Sequence, residues 1–440
     1  MRAGTLSPVA LVEALLARIA AREPHLQAWV CVDRDGALAE ARAAERTWRE
    51  GRAGPLCGLP VGVKDVIIAR GLPTAGGFAP FRDFQPDFDA TCVARLRAAG
   101  ALVLGKVATT QFAGRDPTPT RNPWHAERTA SGSSAGSAVA VAARMVPVAL
   151  GTQTGGSVIR PAGYMGVVGF TPTAGRISRH GLLPRAFSFD TVGVMSRCVA
   201  DAALLYPVMA GPDRHDATTL FRRRPPPVVL AEPPAPRLVL LEDFLDRAAP
   251  AVAAHLAATV GRLAAAGAVV RRARLPVALD VLIAIHTVIL LVEAAASQAQ
   301  LYPRYQEHYA PGLRAQIEIG AALPGLVYVQ AQRLRRRVRA RMARLVRGID
   351  ALVLPATSDL APDRSTIGNN LCQAPWTVLG WPAATVPSGL SAEGLPFGLQ
   401  LVGAPFREGR LLSIAQWVER RVPPMPAPPA FGQGASRGPV

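Results

Sequence analysis

The chain has 440 residues, half of them apolar, and a formal charge of +18. This length allows one large domain or two to three smaller ones, and the apolar share excludes a chain without a sizeable core. The charge raises nucleic acid as a partner, but the arginines are spread along the whole length, so nucleic acid is disfavoured.

Residues 5 to 50 alternate apolar and charged positions at helical period, which predicts two helices before a Gly-rich and Pro-rich link from Gly54 to Gly62. Glu13 interrupts the first apolar stretch, so no signal peptide is expected, although the true start of the chain could lie upstream. Short apolar runs at Val61 to Ile68, Ala101 to Leu104, Val146 to Leu150, Arg237 to Leu241, Ala351 to Leu354 and Gly398 to Val402 lie between longer helical patterns. That alternation predicts an α/β class with a mostly parallel sheet covered by helices. Arg222 to Pro236, with its prolines, reads as a surface connection. Val281 to Val292 contains His286 and is too short to span a bilayer, so no membrane segment is expected. Arg333 to Arg347 keeps Leu334, Val338, Met342 and Leu345 as one apolar stripe, with the arginines on a solvated face. The tail, 423–440, reads as disordered. Five cysteines without pairing or metal spacing fit a reduced, cytoplasmic compartment.

Of the 49 basic residues only Lys64 and Lys106 are lysine. An arginine stays protonated at any pH a protein survives, whereas a lysine in a dry pocket can lose its proton and act as a base. Both lysines are therefore candidates for places where arginine would not work. Small residues concentrate between Ala130 and Phe170, in Ser131-Gly132-Ser133-Ser134-Ala135-Gly136-Ser137 and in Gly151-Thr152-Gln153-Thr154-Gly155-Gly156-Ser157. A strand ending in Thr-Gly-Gly-Ser that runs into a helix leaves backbone N–H groups unpaired beside the serine, the arrangement of an oxyanion hole. Ser157 would then be a nucleophile. The seven histidines are scattered and none sits in a motif, which leaves the neutral amine of Lys64 as the candidate base.

Gly62-Val63-Lys64-Asp65, the Gly/Ser run around Ser133 and the segment Gly151 to Ala162 resemble the amidase signature family. Asn122-Pro123-Trp124, Gly166 to Phe170 and Gly394 to Gly403 extend the likeness from residue 4 to about 420. The resemblance implies a single amidase domain over 1–422, with its signature core at about 122–205 and a helical substrate-side region at about 275–348. It implies a large central mixed, mostly parallel β-sheet with helices on both faces. It also implies a catalytic Lys64, a bridging Ser133 reached through a cis Gly132–Ser133 peptide, a nucleophilic Ser157 24 positions later, and an oxyanion hole of the N–H groups of Thr154, Gly155, Gly156 and Ser157. No metal or cofactor is implied.

Gln153 stands where the family often has aspartate, and Ile159 where it often has arginine; the arginine is displaced to Arg160. This resembles the malonamidase-like branch, in which Arg160 would hold a substrate carboxylate, against the plainer reading that it braces the loop. Gln111, His125 and Thr171 are milder departures, and Lys106 reads as structural. The expected function is hydrolysis of a small, optionally carboxylate-bearing amide through an acyl-Ser157 intermediate. The alternatives are the glutamine-hydrolysing component of a tRNA-dependent amidotransferase, or a catalytically silent basic interaction protein. The expected partner is a small-molecule amide, with a homodimer left open.

Overall fold

The structure, a computed structural model, describes Met1 and residues 5–429. Among the described residues one sheet of eleven strands organises the chain. Its strands are β1 (Trp29–Val32), β2 (Pro60–Lys64), β3 (Leu102–Val107), β4 (Val148–Gln153), β5 (Val168–Thr171), β6 (Thr191–Ser196), β7 (Arg237–Leu241), β8 (Val269–Ala273), β9 (Ala351–Pro355), β10 (Ala383–Leu390) and β11 (Pro396–Val402). Their order is β1-β3-β2-β4-β6-β5-β10-β11-β9-β7-β8.

The α/β class and the mixed sheet are as the sequence implies, and all six expected strands are present. The parallel pairings are β3-β2-β4 and β9-β7-β8, whereas every pairing from β4 through to β9 is antiparallel, so parallel pairs are fewer than expected. The turn from Ser391 to Leu395 shows why: a connection that short can join only antiparallel neighbours.

Alternation along the strands divides the core into two layers. Val61, Val63, Val148, Leu150, Val192, Val194, Leu238 and Leu240 face the helices Thr91–Ala98, Val199–Met209, Pro250–Ala265 and Glu408–Glu419. On the other face Leu102, Leu104, Ala149 and Met195 meet Pro8–Leu26, Arg34–Arg49 and Ala135–Ala142, and Val239, Leu241, Leu352 and Leu354 meet Leu279–Gln298 and Gly325–Met342. The N-terminal part holds the two expected helices with the four-residue β1 between them. β1, too short to show a period of two, was not foreseen.

Leu279–Gln298 is long and apolar enough to cross a membrane by length and composition. Here it buries His286, Glu293 and Gln298 and packs against Pro311–Ala322, Gly325–Met342 and Ala374–Leu379. The arginine-rich helix differs from its expected pattern. Leu334 is exposed, and Arg335 takes the buried stripe with Ala331, Val338 and Met342. Arg335 Nε donates to Val378 O at 2.7 Å and Arg339 Nε to Leu379 O at 3.0 Å, so the two guanidinium groups meet the C-terminal carbonyls of Ala374–Leu379. Of the tail, 423–429 carries no helix or strand, and 430–440 lies outside the described residues.

Candidate functional site

Parallel pairing of Val61, Gly62 and Val63 with Val148, Ala149 and Leu150 brings the C-terminal end of β2, and with it Lys64, beside the end of β4. Lys106 pairs with Val63 rather than with Lys64, so the two lysines project from opposite faces of the sheet. Both side chains are fully buried. Lys106 Nζ contacts Asp65 Oδ1 at 3.1 Å, Pro73 O at 3.0 Å and Thr74 Oγ1 at 2.7 Å, while Asp65 Oδ2 accepts from Gly76 N at 2.9 Å. This ion pair fixes the chain that leaves β2.

Lys64 has hydroxyl neighbours instead. Its Nζ lies 2.7 Å from Ser133 Oγ and 2.8 Å from Thr152 Oγ1. Burial drives the amine well below the usual lysine range, and the Asp190 carboxylate opposes this without contacting it as an ion pair. A neutral amine has one lone pair and two N–H donors, so it can take a proton from Ser133 while donating to Thr152.

Ser133 follows a left-handed Ser131 (φ 66°) and a cis Gly132–Ser133 peptide. Arg160 holds this turn: Nη2 donates to Gly132 O at 2.7 Å, Nε to Ser131 Oγ at 3.3 Å and Nη1 to Gly368 O at 3.1 Å. Burial lowers its pKa to about 10, which leaves it charged at neutral pH. Each of its three nitrogens is thus engaged by the protein.

Ser157 is 8% exposed and enters the helix Ile159–Met165 directly after β4. Gln153 caps that entry, its Oε1 accepting from Val158 N at 3.0 Å and Ile159 N at 3.1 Å. An amide oxygen here does the capping that a carboxylate would do. The N–H groups of Thr154, Gly155, Gly156 and Ser157 have no partner within the described chain, which leaves four consecutive donors around the Ser157 hydroxyl. Ser157 and Ser133 are not hydrogen-bonded to each other in this structure. A Cβ on Gly155 would come within 2.9 Å of Asn370 Nδ2, and one on Gly156 within 2.8 Å of Gln373 Oε1, so the loop fits only as glycine.

Four neighbours escaped sequence reasoning. Thr152 sits inside the quoted motif, and its position at the end of β4 was the available signal. Asp190, just before β6, accepts from Thr154 Oγ1 at 2.6 Å and from the N–H groups of Arg185 and Ala186, and burial raises its pKa. His286 Nε2 lies 2.9 Å from Thr154 O, with its ring stacked on Phe189. Thr377 Oγ1 donates to Gly155 O at 3.0 Å. No motif marks the last three, which come from distant helices and turns. Among the described residues no cluster of three or more His, Cys, Asp or Glu is placed to hold a metal.

Comparison with known proteins agrees with this geometry. Over 95% of its length the chain is 36% identical to the amidase component of the glutamyl-tRNA(Gln) amidotransferase of Roseiflexus castenholzii, of which it covers 93%. It superposes on the native peptide amidase of Stenotrophomonas maltophilia with a TM-score of 0.84 at 32% identity, covering 97% of this chain and 96% of that one. A chain of a vestigial protein complex, solved in tracing the origins of an s-triazine catabolic enzyme, gives 0.88 at 32% identity over 95% of this chain and 96% of its own. The amidase family model matches residues 10–412, and with these relatives it establishes that the chain belongs to the amidase family.

Proposed function

We propose that the chain hydrolyses a carboxamide through an acyl-Ser157 intermediate. The observation that carries this reading is the buried Lys64 amine, 2.7 Å from Ser133 Oγ and held below its usual pKa by burial. Ser157 Oγ attacks the amide carbon, its proton passes to Ser133, and the Ser133 proton passes to Lys64 Nζ. The carbonyl oxygen takes the negative charge and is met by the free N–H groups of Thr154, Gly155, Gly156 and Ser157. When the C–N bond breaks, the same relay returns the proton to the leaving nitrogen, and ammonia or an amine departs. Water then attacks the acyl-enzyme with Lys64 again as the base.

Two substrate readings follow. Similarity to a glutamyl-tRNA(Gln) amidotransferase component favours glutamine as the amide, with ammonia passed on within an assembly. Similarity to a peptide amidase favours a chain that works alone. The contacts of Arg160 favour its bracing role over the carboxylate anchor considered from sequence, since Gly132, Ser131 and Gly368 already engage its nitrogens. Ammonia release by the purified chain from glutamine, malonamate and propionamide separates these readings. Glutamine turnover above the other two supports the amidotransferase reading, and propionamide turnover equal to or above malonamate removes the carboxylate anchor. Ser157→Ala should abolish release in every case, and a Ser157→Ala variant that still turns over would overturn the nucleophile.

A further inference from the structure

The N–H donors around Ser157 can stabilise an oxyanion only if they point at one place, and glycine-rich loops do not hold a direction by themselves. In a trans peptide the C=O and the N–H point in opposite directions, so whatever holds a carbonyl also aims the next residue's N–H. Gly132–Ser133 is the one cis peptide among the described residues, so the peptides of the 154–157 loop are trans. The loop's three carbonyls are each tied down. Thr154 O meets His286 Nε2 at 2.9 Å, Gly155 O meets Thr377 Oγ1 at 3.0 Å, and Gly156 O accepts from Arg160 N at 2.9 Å as the first turn of the following helix.

We propose that His286 and Thr377 are positioning residues of the oxyanion site. By holding the carbonyls of Thr154 and Gly155 they aim the N–H groups of Gly155 and Gly156 at the oxygen that becomes negative during attack by Ser157. The proposal rests on the reading of Ser157 as nucleophile. A carbonyl only accepts, so His286 carries its proton on Nε2. Burial, at 2% exposure, lowers the ring's pKa to about 4, so it is neutral at working pH and places no charge beside the loop. Stacking on Phe189, with centroids 5.0 Å apart and planes at 15°, fixes the ring's direction. Thr377 lies on Ala374–Leu379, whose C-terminal carbonyls are held by Arg335 and Arg339. Both residues therefore reach the loop from rigid supports. The Thr154 hydroxyl is held separately, by Asp190 at 2.6 Å.

The test needs no knowledge of the substrate. An alkyl fluorophosphonate reacts when Ser157 Oγ bonds to phosphorus, fluoride leaves, and the serine proton passes to Ser133 and Lys64. The phosphoryl oxygen occupies the place of the carbonyl oxygen, so the labelling rate reports the aim of the donors. Second-order labelling rates would be compared for wild type, His286→Leu, His286→Gln, Thr377→Val and Thr377→Ser, with Ser157→Ala as control. Losing an oxyanion donor outright costs about 100-fold to 1,000-fold, and a misaimed donor should cost less, about 10-fold to 100-fold, in His286→Leu and Thr377→Val. Gln and Ser keep a donor at the same reach, so His286→Gln and Thr377→Ser should stay within about threefold of wild type, since a retained hydrogen bond forfeits only a fraction of its net ~1 kcal/mol. Thr377→Val preserves shape at a half-buried position and keeps the test decisive if His286→Leu folds poorly. Labelling of Thr377→Val at the wild-type rate, or an equal loss in Thr377→Ser, would overturn the proposal. A wild-type chain that is labelled no faster than Ser157→Ala would remove the nucleophile itself, and the proposal with it.

Discussion

Replacing Lys64 by methionine should abolish turnover and at the same time make the protein more stable at neutral pH. Burial holds the native amine well below the usual lysine range, while in the unfolded chain it titrates near 10.4. Between those two pKa values the unfolded state binds one proton more than the native state, so the lysine's penalty is largest at low pH and fades as pH rises toward 10.4. A native amine that is neutral at pH 7 carries a penalty of about 4–5 kcal/mol, from 1.36 kcal/mol for each pH unit below 10.4. Methionine fills similar space without that penalty but strands the hydroxyls of Ser133 and Thr152, a loss of about 1–3 kcal/mol. The net gain at pH 7 is then about 1–4 kcal/mol. For a chain of 440 residues the unfolding entropy scales to about 0.9 kcal/mol per degree, so each kcal/mol moves Tm by about 1 °C. Melting both proteins from pH 7 to pH 10 should show the methionine variant's advantage shrinking by about 4 °C. The slope does not depend on the stranded hydroxyls. A difference in Tm that stays flat from pH 7 to pH 10 would mean that Lys64 is not a neutral amine in the native protein, and the proton relay would lose its base.

Three other substitutions test the supports of the site. Asp65→Asn should leave the Lys106 ammonium buried beside a neutral amide and cost about 3–5 kcal/mol, whereas Asp65→Leu with Lys106→Met should recover much of it; equal losses in urea unfolding would argue against a buried ion pair. Gln153→Leu should uncap Val158 and Ile159 and cost about 1–2 kcal/mol, with Gln153→Glu close to wild type because the acceptor is kept. Arg160→Lys cannot reproduce three divergent donors. It should lower Tm and slow turnover of charged and neutral amides alike, and a loss confined to carboxylated amides would restore the anchoring role.

Local signals carried much of the site. Ser133 and Ser157 lie in Gly/Ser runs and Lys64 in a short strand motif, and pairing of β2 with β4 accounts for their meeting. Sheet order was not legible in the same way: β5, β6 and β10 are short and buried, without alternation to mark them, and they hold the antiparallel centre of the sheet. Asp190, His286 and Thr377 were missed for a different reason. Aspartate, histidine and threonine are common residues, and what distinguishes these three is a carbonyl or hydroxyl 36, 132 and 222 positions away. The arginine-rich helix shows the limit of charge patterning. Arg335 occupies a core stripe because its guanidinium finds the carbonyls of Val378 and Ser188 there, an outcome that depends on the neighbour and not on the helix's own sequence.

With both lysines enclosed and every other basic side chain an arginine or a histidine, the folded surface carries no side-chain primary amine among its described residues. Succinimidyl esters, aldehydes used for crosslinking and reductive methylation would find only the α-amine, so one-point attachment through the start of the chain needs no engineering. A lysine-specific protease would leave the native protein whole and cut only after unfolding, whereas trypsin could still attack exposed arginines. The onset of lysine-specific cleavage would therefore report directly on the opening of the sheet between β2 and β3.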